Sequence, residues 1–152
     1  MKVYRLSRAA YAADLSGKGA SFKGARWNSA GVEMMYTADS RALALAEVMV
    51  HFTAAMVPSD YRMITLEIPD DLSIQHITIK DLPPDWNIFP YHSSTQTIGD
   101  QFIHENKFLS LRVPSAVVPG DFNFLLNPHH PDIKKITILK TEKFPFDKRM
   151  FH

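Results

Sequence analysis

The sequence has no cysteine, and no apolar run within its 152 residues approaches the length of a membrane span. Without cysteine the chain has no disulfide framework, no thiol nucleophile and no thiolate ligand for a metal ion. A transmembrane helix needs about 20 consecutive apolar residues, and residues 1–12 lack the apolar core of a signal peptide. We therefore expect a cytoplasmic protein that does not enter a membrane.

An excess of charge of either sign is also missing. Seventeen basic and sixteen acidic residues give a formal net charge of +1. This balance offers no electrostatic footprint for nucleic acid or for an anionic membrane surface, so neither is expected as a partner. The hydrophobic share of 45% and the charged share of 22% are ordinary for a globular protein. With no internal repeat or linker, residues 1–152 are predicted to form a single domain.

Several common catalytic motifs are absent as well. The seven histidines include the adjacent pair His129 and His130, which would point to opposite faces of a strand. No HExxH motif or other histidine pair at helical spacing accompanies them, so we expect no metal site. No GxSxG motif surrounds a serine, and the glycines of residues 16–24 match neither the Walker nor the dinucleotide-binding spacing.

The segment Gly24–Phe52 carries the most informative local pattern in the chain. It is predicted to form a strand, a turn at Asn28–Gly31, a second strand at Met34–Thr37 and then a helix. The helix is predicted to begin at Asp39 or Ser40, since either side chain can cap the free N–H groups of a first turn.

Elsewhere the alternation of apolar side chains predicts more strand than helix. Further strands are predicted at Lys2–Leu6, Tyr61–Ile68, Ser73–Ile79, Phe108–Val113, Ala116–Val118 and Ile133–Leu139. A capping box at Ser93–Gln96 predicts a helix after it. Loops and turns are predicted at residues 16–24, 58–60, 82–86 and 121–128, and the basic, aromatic tail 140–152 is assigned to late packing or an interface. The sum is an α+β fold, a single compact domain built on a mixed sheet.

Glu47 is the one charged side chain in the otherwise apolar run Ala42–Val50. A carboxylate buried there without a partner would be costly, so it must reach water or hydrogen-bond donors. Ser40, Ala44 and His51 share its side of the predicted helix. This stripe can face solvent, or it can face a cleft.

Five polar side chains remain as candidates for chemistry: Arg5, Arg26, Tyr36, Glu47 and Ser115. An arginine can bind phosphate through two parallel hydrogen bonds, and a tyrosine ring can stack on another aromatic ring. A glutamate can bond a ribose hydroxyl and stabilise a sugar cation. Together these groups suit a nucleotide whose reactive bond is glycosidic. Each also has a structural alternative, as a surface arginine, a core tyrosine or a solvated glutamate.

Several blocks, in order and covering most of the chain, resemble the RES domain family, the toxin half of bacterial toxin–antitoxin pairs. They are YRLSRAAYA (Tyr4–Ala12), GARWNSAG (Gly24–Gly31), MYTADSRALALAEVMVH (Met35–His51), IGDQF (Ile98–Phe102) and LRVPSAVVPGDFNFLLNPHHPD (Leu111–Asp132). One departure is Ala25, because the family often has a second glycine before the arginine. The change is small and leaves Arg26 intact.

The resemblance implies a fold related to the ADP-ribosyltransferase toxins, with NAD as the substrate. By motif, the family's cleft residues correspond here to Arg26, Glu47, Ser115, Arg5, Tyr36 and, more weakly, Asn123. The first three are the arginine, glutamate and serine for which the family is named. Family activities include NAD degradation by hydrolysis or phosphorolysis and ADP-ribosylation of a protein. The family partner is a helix-turn-helix antitoxin whose C-terminal part blocks the cleft, and a homodimer is a candidate assembly within that complex.

These assignments lead to a mechanistic hypothesis. Cleavage of the nicotinamide–ribose bond passes through an oxocarbenium-like transition state, which Glu47 would stabilise while holding the ribose. Arg26, with Arg5, would bind the pyrophosphate. Tyr36 would stack on nicotinamide or order the ribose, and Ser115 would orient Glu47 or the substrate. The hypothesis requires Arg26, Tyr36 and Glu47 to converge on one pocket, reached by Ser115 from far along the chain.

Two other classes of function stay open at the level of sequence. A ribonuclease-type toxin would use an arginine, a glutamate and a histidine such as His51 or His130. The near-neutral charge disfavours this class, because binding to a phosphate backbone usually needs a basic surface. A non-catalytic module would instead bind a protein partner through apolar loops, including Trp86–Pro90.

Overall fold

The computed structural model describes residues 1–53, 55–56 and 59–151. Seven strands form one sheet: β1 (Lys2–Arg8), β2 (Met35–Ala38), β3 (Tyr61–Glu67), β4 (Ile74–His76), β5 (Ser110–Pro114), β6 (Phe122–Leu126) and β7 (Thr137–Lys143). Their order across the sheet is β4-β5-β6-β2-β1-β3-β7, and neighbours are antiparallel except for the parallel pair β4 and β5. The prediction of a mixed sheet is therefore confirmed.

Helices are fewer than strands in the described part of the chain. The α-helices are α1 (Lys18–Ser21), α2 (Arg41–Met49) and α3 (Ser93–Glu105), and short 3₁₀ turns occur at Ala9–Tyr11, Ile79–Asp81, Pro131–Lys135 and Lys148–Met150. The predicted α+β class is confirmed. Within residues 1–53, 55–56 and 59–151, none of the helices has the length and apolarity that crossing a membrane requires.

Helix α2 begins where the sequence predicts a cap. The hydroxyl of Ser40 accepts a hydrogen bond from the backbone N–H of Leu43 at 3.0 Å, which satisfies one of the free donors of the first turn. Leu43 and Ala44 are buried, and Leu43 packs in a cluster with Leu6 of β1 and with β3 side chains. Glu47 follows Ala44 by three residues, so it lies on the same side one turn later, where it is half-buried.

Helix α3 approaches the chain around Trp27 unusually closely. A Cβ atom added at Gly99 would lie 1.6 Å from the carbonyl oxygen of Trp27, so only glycine allows this packing distance. Trp27, Phe102 and Leu125 are buried in one cluster, and this cluster attaches α3 to the sheet. Full burial of each such side chain stabilises the fold by roughly 1.5–3 kcal/mol.

The first of the two strands predicted around Arg26 does not form. Ala25 and Asn28 instead pair with each other across a tight turn, which Gly24 enters with a φ of +75°. The hydroxyl of Thr95, on α3, donates to the carbonyl oxygen of Arg26 at 2.6 Å. The turn is thus held by helix α3.

The prediction of a loop at residues 121–128 is wrong. Most of this segment is strand β6, which lies between β5 and β2 and bonds to both. Its polar residue, Asn123, is only 8% exposed and donates from its side-chain amide to the carbonyl of Thr37 at 3.3 Å. Strand partners on both sides outweigh the turn-forming tendency of Asp121 and Pro128 at its ends.

Other differences concern where elements begin and end. The predicted strand Ala116–Val118 is a turn, because the N–H groups of Val117 and Val118 donate to the hydroxyl of Ser115 at 3.1 and 3.0 Å. The last strand begins later than predicted, after a 3₁₀ turn, and extends into the predicted tail. The tail then contributes Phe146 to the buried cluster around Leu43.

The remaining boundary differences are small. Strand β4 is shorter than predicted, since Ile79 lies in a 3₁₀ turn, and residues 16–24 contain α1 within the predicted loop. Helix α3 is capped by His92, whose Nδ1 accepts from the N–H of Ser94, and not by a serine within the predicted capping box. Pro58, in a predicted turn, and His152, at the end of the tail, lie outside the described residues.

Candidate active site

A cleft of about 760 Å³ opens beside β1, β2 and α2. Its volume lies in the range typical of sites for small molecules and cofactors. Five of the six residues predicted for the site line it: Arg5, Arg26, Tyr36, Glu47 and Asn123. The sixth, Ser115, lies directly behind Glu47 and is only 3% exposed. The structure therefore brings together residues from β1, the turn after Gly24, β2, α2, β6 and the turn after β5.

Ser115 fixes one oxygen of the Glu47 carboxylate. The Ser115 hydroxyl donates to Glu47 Oε1 at 2.7 Å, and the same hydroxyl oxygen accepts from the N–H groups of Val117 and Val118. A serine hydroxyl has one donor and two acceptor lone pairs. Because the two N–H groups occupy both lone pairs, the hydroxyl hydrogen is directed at Glu47. Among the described residues, Ser115 thus holds the carboxylate through Oε1, and Glu47 itself lines the cleft.

Arg26 lines the cleft from the turn between Ala25 and Asn28. Its Nη1 donates to the backbone carbonyls of Trp86 at 3.0 Å and Ile88 at 2.9 Å, and its Cζ lies 5.1 Å from the centre of the Tyr91 ring. Burial lowers the pKa of Arg26 from its ordinary value, and the charges of Tyr91 and then Glu47 oppose that shift. An arginine remains cationic at neutral pH despite such a shift. Among the described residues, the side-chain hydrogen bonds of Arg26 all come from Nη1.

Tyr36 supports the turn that carries Arg26. Its hydroxyl donates to Asn28 Oδ1 at 2.5 Å and accepts from the N–H of Trp27 at 3.1 Å. Burial raises the pKa of the Tyr36 phenol well above its ordinary value, so the group is a neutral donor at physiological pH. Tyr36 lines the cleft, while its hydroxyl is already bonded to the protein.

Asn28 is a site-supporting residue that the sequence interpretation treated only as part of a turn. It is fully buried, and its side-chain amide donates to the carbonyls of Ala20 and Val32 at 2.9 and 3.0 Å. Its Oδ1 receives the Tyr36 hydroxyl. The asparagine thereby joins α1, the turn at Arg26 and β2 into one rigid unit.

Arg5 repeats on β1 the arrangement seen for Arg26. Its Nη1 donates to the carbonyls of Tyr11 at 3.3 Å and Asp14 at 3.0 Å. Burial lowers the pKa of Arg5, an effect that the Asp14 carboxylate opposes. Each arginine thus ties a loop to the cleft with one nitrogen and keeps other donors for a ligand.

Several cleft residues were not singled out for the site from the sequence. They include Lys18, Asn87, Phe89 and Tyr91, whereas His51, which also lines the cleft, was named as a site residue only for the ribonuclease alternative. The segment Trp86–Pro90 was considered only as an apolar surface for a partner, whereas its carbonyls hold Arg26. The aromatic residues in and beside this proline-containing loop were the sequence feature that could have assigned it to the site. Within the described residues, no group of three or more His, Asp or Glu side chains is placed to hold a metal ion.

Comparisons with known proteins agree on one family. The model of the RES domain matches residues 2–147. The "Prs ADP-ribosylating toxin" of Sphingobium sp. is 39% identical over 139 residues, which are 90% of this chain and 86% of that protein. A protein named "Toxin Res" from Photorhabdus laumondii is 36% identical over 152 residues, covering 99% of this chain and 97% of its own length.

A solved structure has the same fold. It comes from the crystal structure of the MbcT–MbcA toxin–antitoxin complex of M. tuberculosis, with a TM-score of 0.79 and 21% sequence identity. The match covers 99% of this chain and 86% of that chain. At this identity the likeness establishes the fold and leaves the chemistry to the site residues.

Proposed function

This chain belongs to the RES domain family, and we propose that it is a toxin that cleaves the nicotinamide–ribose bond of NAD. The observation that carries the proposal is the geometry of Glu47. Its carboxylate lines a dinucleotide-sized cleft, is held from behind by Ser115 and shares that cleft with Arg26 and Arg5. The Glu47 carboxylate and the Arg26 and Arg5 guanidinium groups, which share one cleft, match the charges of the proposed reaction.

Glu47 stabilises the charge that develops on the ribose. As the bond between C1 of the ribose and the ring nitrogen breaks, the electron pair leaves with nicotinamide and the sugar becomes oxocarbenium-like. A carboxylate fixed in advance stabilises that cation without reorganising during the reaction. The leaving nicotinamide is neutral, so no strong general acid is required. Ser115 acts through Glu47, as a positioning residue.

The arginines bind the pyrophosphate. In both Arg26 and Arg5, Nη1 donates to two backbone carbonyls. Nε and Nη2 are then the donors proposed to bind phosphate oxygens. Guanidinium groups suit phosphate because two parallel N–H donors match two oxygens. The Tyr36 ring, whose hydroxyl already holds the turn at Asn28, provides a flat apolar surface beside the ribose or nicotinamide.

The acceptor of ADP-ribose is water, inorganic phosphate or a protein side chain. The name of the Sphingobium relative, "Prs ADP-ribosylating toxin", supports a protein acceptor. In each case a lone pair of the acceptor attacks C1 of the ribose and the acceptor loses a proton. The three acceptors therefore give three products of different mass.

The proposed partner is an antitoxin that closes the cleft. Support comes from the solved relative, which was crystallised as a toxin–antitoxin complex. We extend the proposal to a helix-turn-helix antitoxin whose C-terminal part enters the cleft, and to a homodimer of the toxin within the complex. An inserted segment with a carboxylate would find two arginines there, and occupation of the site would exclude NAD.

Product analysis tests the proposal. The purified protein is incubated with NAD, with NAD plus inorganic phosphate, and with NAD plus a cell lysate, and the products are identified by mass. We expect nicotinamide together with ADP-ribose, ADP-ribose 1″-phosphate or ADP-ribosylated protein. A parallel incubation with total RNA examines the ribonuclease alternative. Intact NAD in every arm, or loss of RNA with NAD intact, would overturn the proposal.

A further inference from the structure

We propose that Phe89, packed edge-to-face against Tyr91, forms an aromatic platform that stacks on the adenine ring of NAD and so selects for the dinucleotide. This inference rests on the proposed function, because it places the adenosine half of the same substrate. Neither residue takes part in the cleavage chemistry assigned to Glu47. Phe89 and Tyr91 act on substrate binding alone.

The geometry of the two rings suits a base that stacks on the face of one ring, since the second ring is nearly perpendicular to it. Their centroids lie 5.3 Å apart at an interplanar angle of 87°, and both residues line the cleft that contains Glu47. The Phe89 side chain is 76% exposed. An edge-to-face pair with one ring this exposed leaves a broad aromatic surface uncovered at the cleft wall.

Arg26 connects this platform to the position proposed for the pyrophosphate. Its guanidinium lies over the Tyr91 ring, and Nη1 bonds to the carbonyls of Trp86 and Ile88, immediately before Phe89. The same arginine therefore binds the pyrophosphate and holds the loop that carries the rings. The loop is fixed before the substrate arrives, which lowers the entropic cost of stacking.

The connectivity of NAD then decides which base reaches the platform. The nicotinamide riboside lies at Glu47 if this residue stabilises the ribose cation. The adenosine is attached to the other end of the pyrophosphate, on the far side of Arg26. An aromatic surface that adjoins Arg26 is therefore in reach of the adenine. Stacking accepts any base with a π-face, so the platform distinguishes a dinucleotide from a mononucleotide more strongly than it distinguishes one purine from another.

The test compares two ligands that differ in their base. AMP and nicotinamide mononucleotide each carry one ribose and one phosphate, and their dissociation constants are measured by titration calorimetry. For Phe89→Ser we expect the dissociation constant of AMP to rise about ten-fold or more, while that of nicotinamide mononucleotide changes much less. Phe89→Trp restores a flat ring and should recover AMP binding.

A matched control is available at Phe22. This phenyl group is 79% exposed and lies outside the cleft lining, so Phe22→Ser should leave both dissociation constants unchanged. Unaltered AMP binding by Phe89→Ser, or an equal loss for both ligands, would overturn the inference. Because no turnover is needed, this result is distinct from failure of the proposed function, which would show as intact NAD.

Discussion

Two buried serines, Ser110 in strand β5 and Ser115 just after it, differ in the hydrogen bonding of their hydroxyl groups. Ser115 is 3% exposed and makes three hydrogen bonds through its side chain, to Glu47, Val117 and Val118. Ser110 is 1% exposed, and its hydroxyl has no hydrogen-bond partner among the described residues. The two serines are thus almost equally buried, but within the described residues only the Ser115 hydroxyl is hydrogen-bonded.

Replacing these serines by alanine should therefore have different effects. Ser115→Ala leaves two N–H groups without an acceptor and releases Glu47, so we expect the free energy of unfolding to fall by about 1–3 kcal/mol and kcat for nicotinamide release to fall as well. Ser110→Ala removes an unpaired hydroxyl and should leave the free energy of unfolding unchanged or slightly higher. Urea denaturation and a kinetic assay measure both. Equal destabilisation by the two variants would contradict this account of Ser115.

The Tyr36 hydroxyl makes stability depend on pH in the alkaline range. In the unfolded chain the phenol titrates near its ordinary pKa of about 10, whereas burial raises the pKa in the folded protein. Folding therefore favours the protonated form. The contribution of this group is fully present below about pH 10 and is lost as the pH rises from there through the raised pKa.

Tyr36→Phe should remove that dependence while keeping the ring. At neutral pH the free energy of unfolding should fall by about 1–2 kcal/mol, because Asn28 and the Trp27 N–H lose a partner. Urea denaturation at about pH 9 and about pH 11 should show a smaller loss of stability for the variant than for the parent. Identical losses in the two proteins would refute the assignment.

At the scale of elements, α3 positions the turn that carries Arg26. Gly99 is where the helix backbone meets the carbonyl of Trp27, and the hydroxyl of Thr95 donates to the preceding carbonyl, that of Arg26. The glycine inside this helix weakens the helical propensity that the sequence suggests. The close approach of α3 to Trp27 explains why a glycine is present at position 99.

Two glycine substitutions separate this packing effect from helix propensity. Gly99→Ala places a methyl group 1.6 Å from the Trp27 oxygen, so α3 must move, and we expect a loss of about 3 kcal/mol or more in the free energy of unfolding. Gly19→Ala, in α1, meets nothing within 4 Å and should be neutral or stabilising by up to about 1 kcal/mol. Thermal unfolding of both variants measures the difference. A benign Gly99→Ala would show that the helix does not rest on Trp27.

Local signals predicted elements well where the interaction itself is local. The cap at Ser40 lies three residues from the N–H that it accepts, and the apolar residues of β3 match a strand whose four central residues are all buried. Strand β6 was missed because its stability comes from two neighbouring strands that are distant in the chain. A central strand can carry Asn123 when the amide finds the Thr37 carbonyl, and no local pattern reports that bond.

The turn at Arg26 was mistaken for a strand for the same reason. Gly24 and Asn28 were visible as turn-forming residues, but the donors that complete the turn come from Thr95 and Gln96, on a helix about 70 residues later. Residue types can therefore indicate that the chain bends near Arg26. They do not indicate what holds the bend.

At the scale of the whole molecule, the cleft is assembled from segments that lie far apart in the sequence. Glu47 and Ser115 are separated by 68 positions, and Arg26 is separated from the carbonyl of Ile88 by 62. The family resemblance identified these residues, since motif blocks can be recognised in the sequence without any knowledge of contacts. The partners of each residue, including Tyr91 under Arg26, required the structure. Their catalytic roles remain predictions.

The central claim is that Glu47 drives cleavage of NAD in this cleft. The most direct test measures nicotinamide release from NAD by the parent protein, Glu47→Gln and Glu105→Gln, with folding checked by thermal unfolding. Glu105 is an exposed glutamate at the end of α3, outside the cleft lining. We predict that Glu47→Gln lowers the rate by about 10²-fold or more, while Glu105→Gln matches the parent. Nicotinamide release by Glu47→Gln at the parent rate would contradict the account.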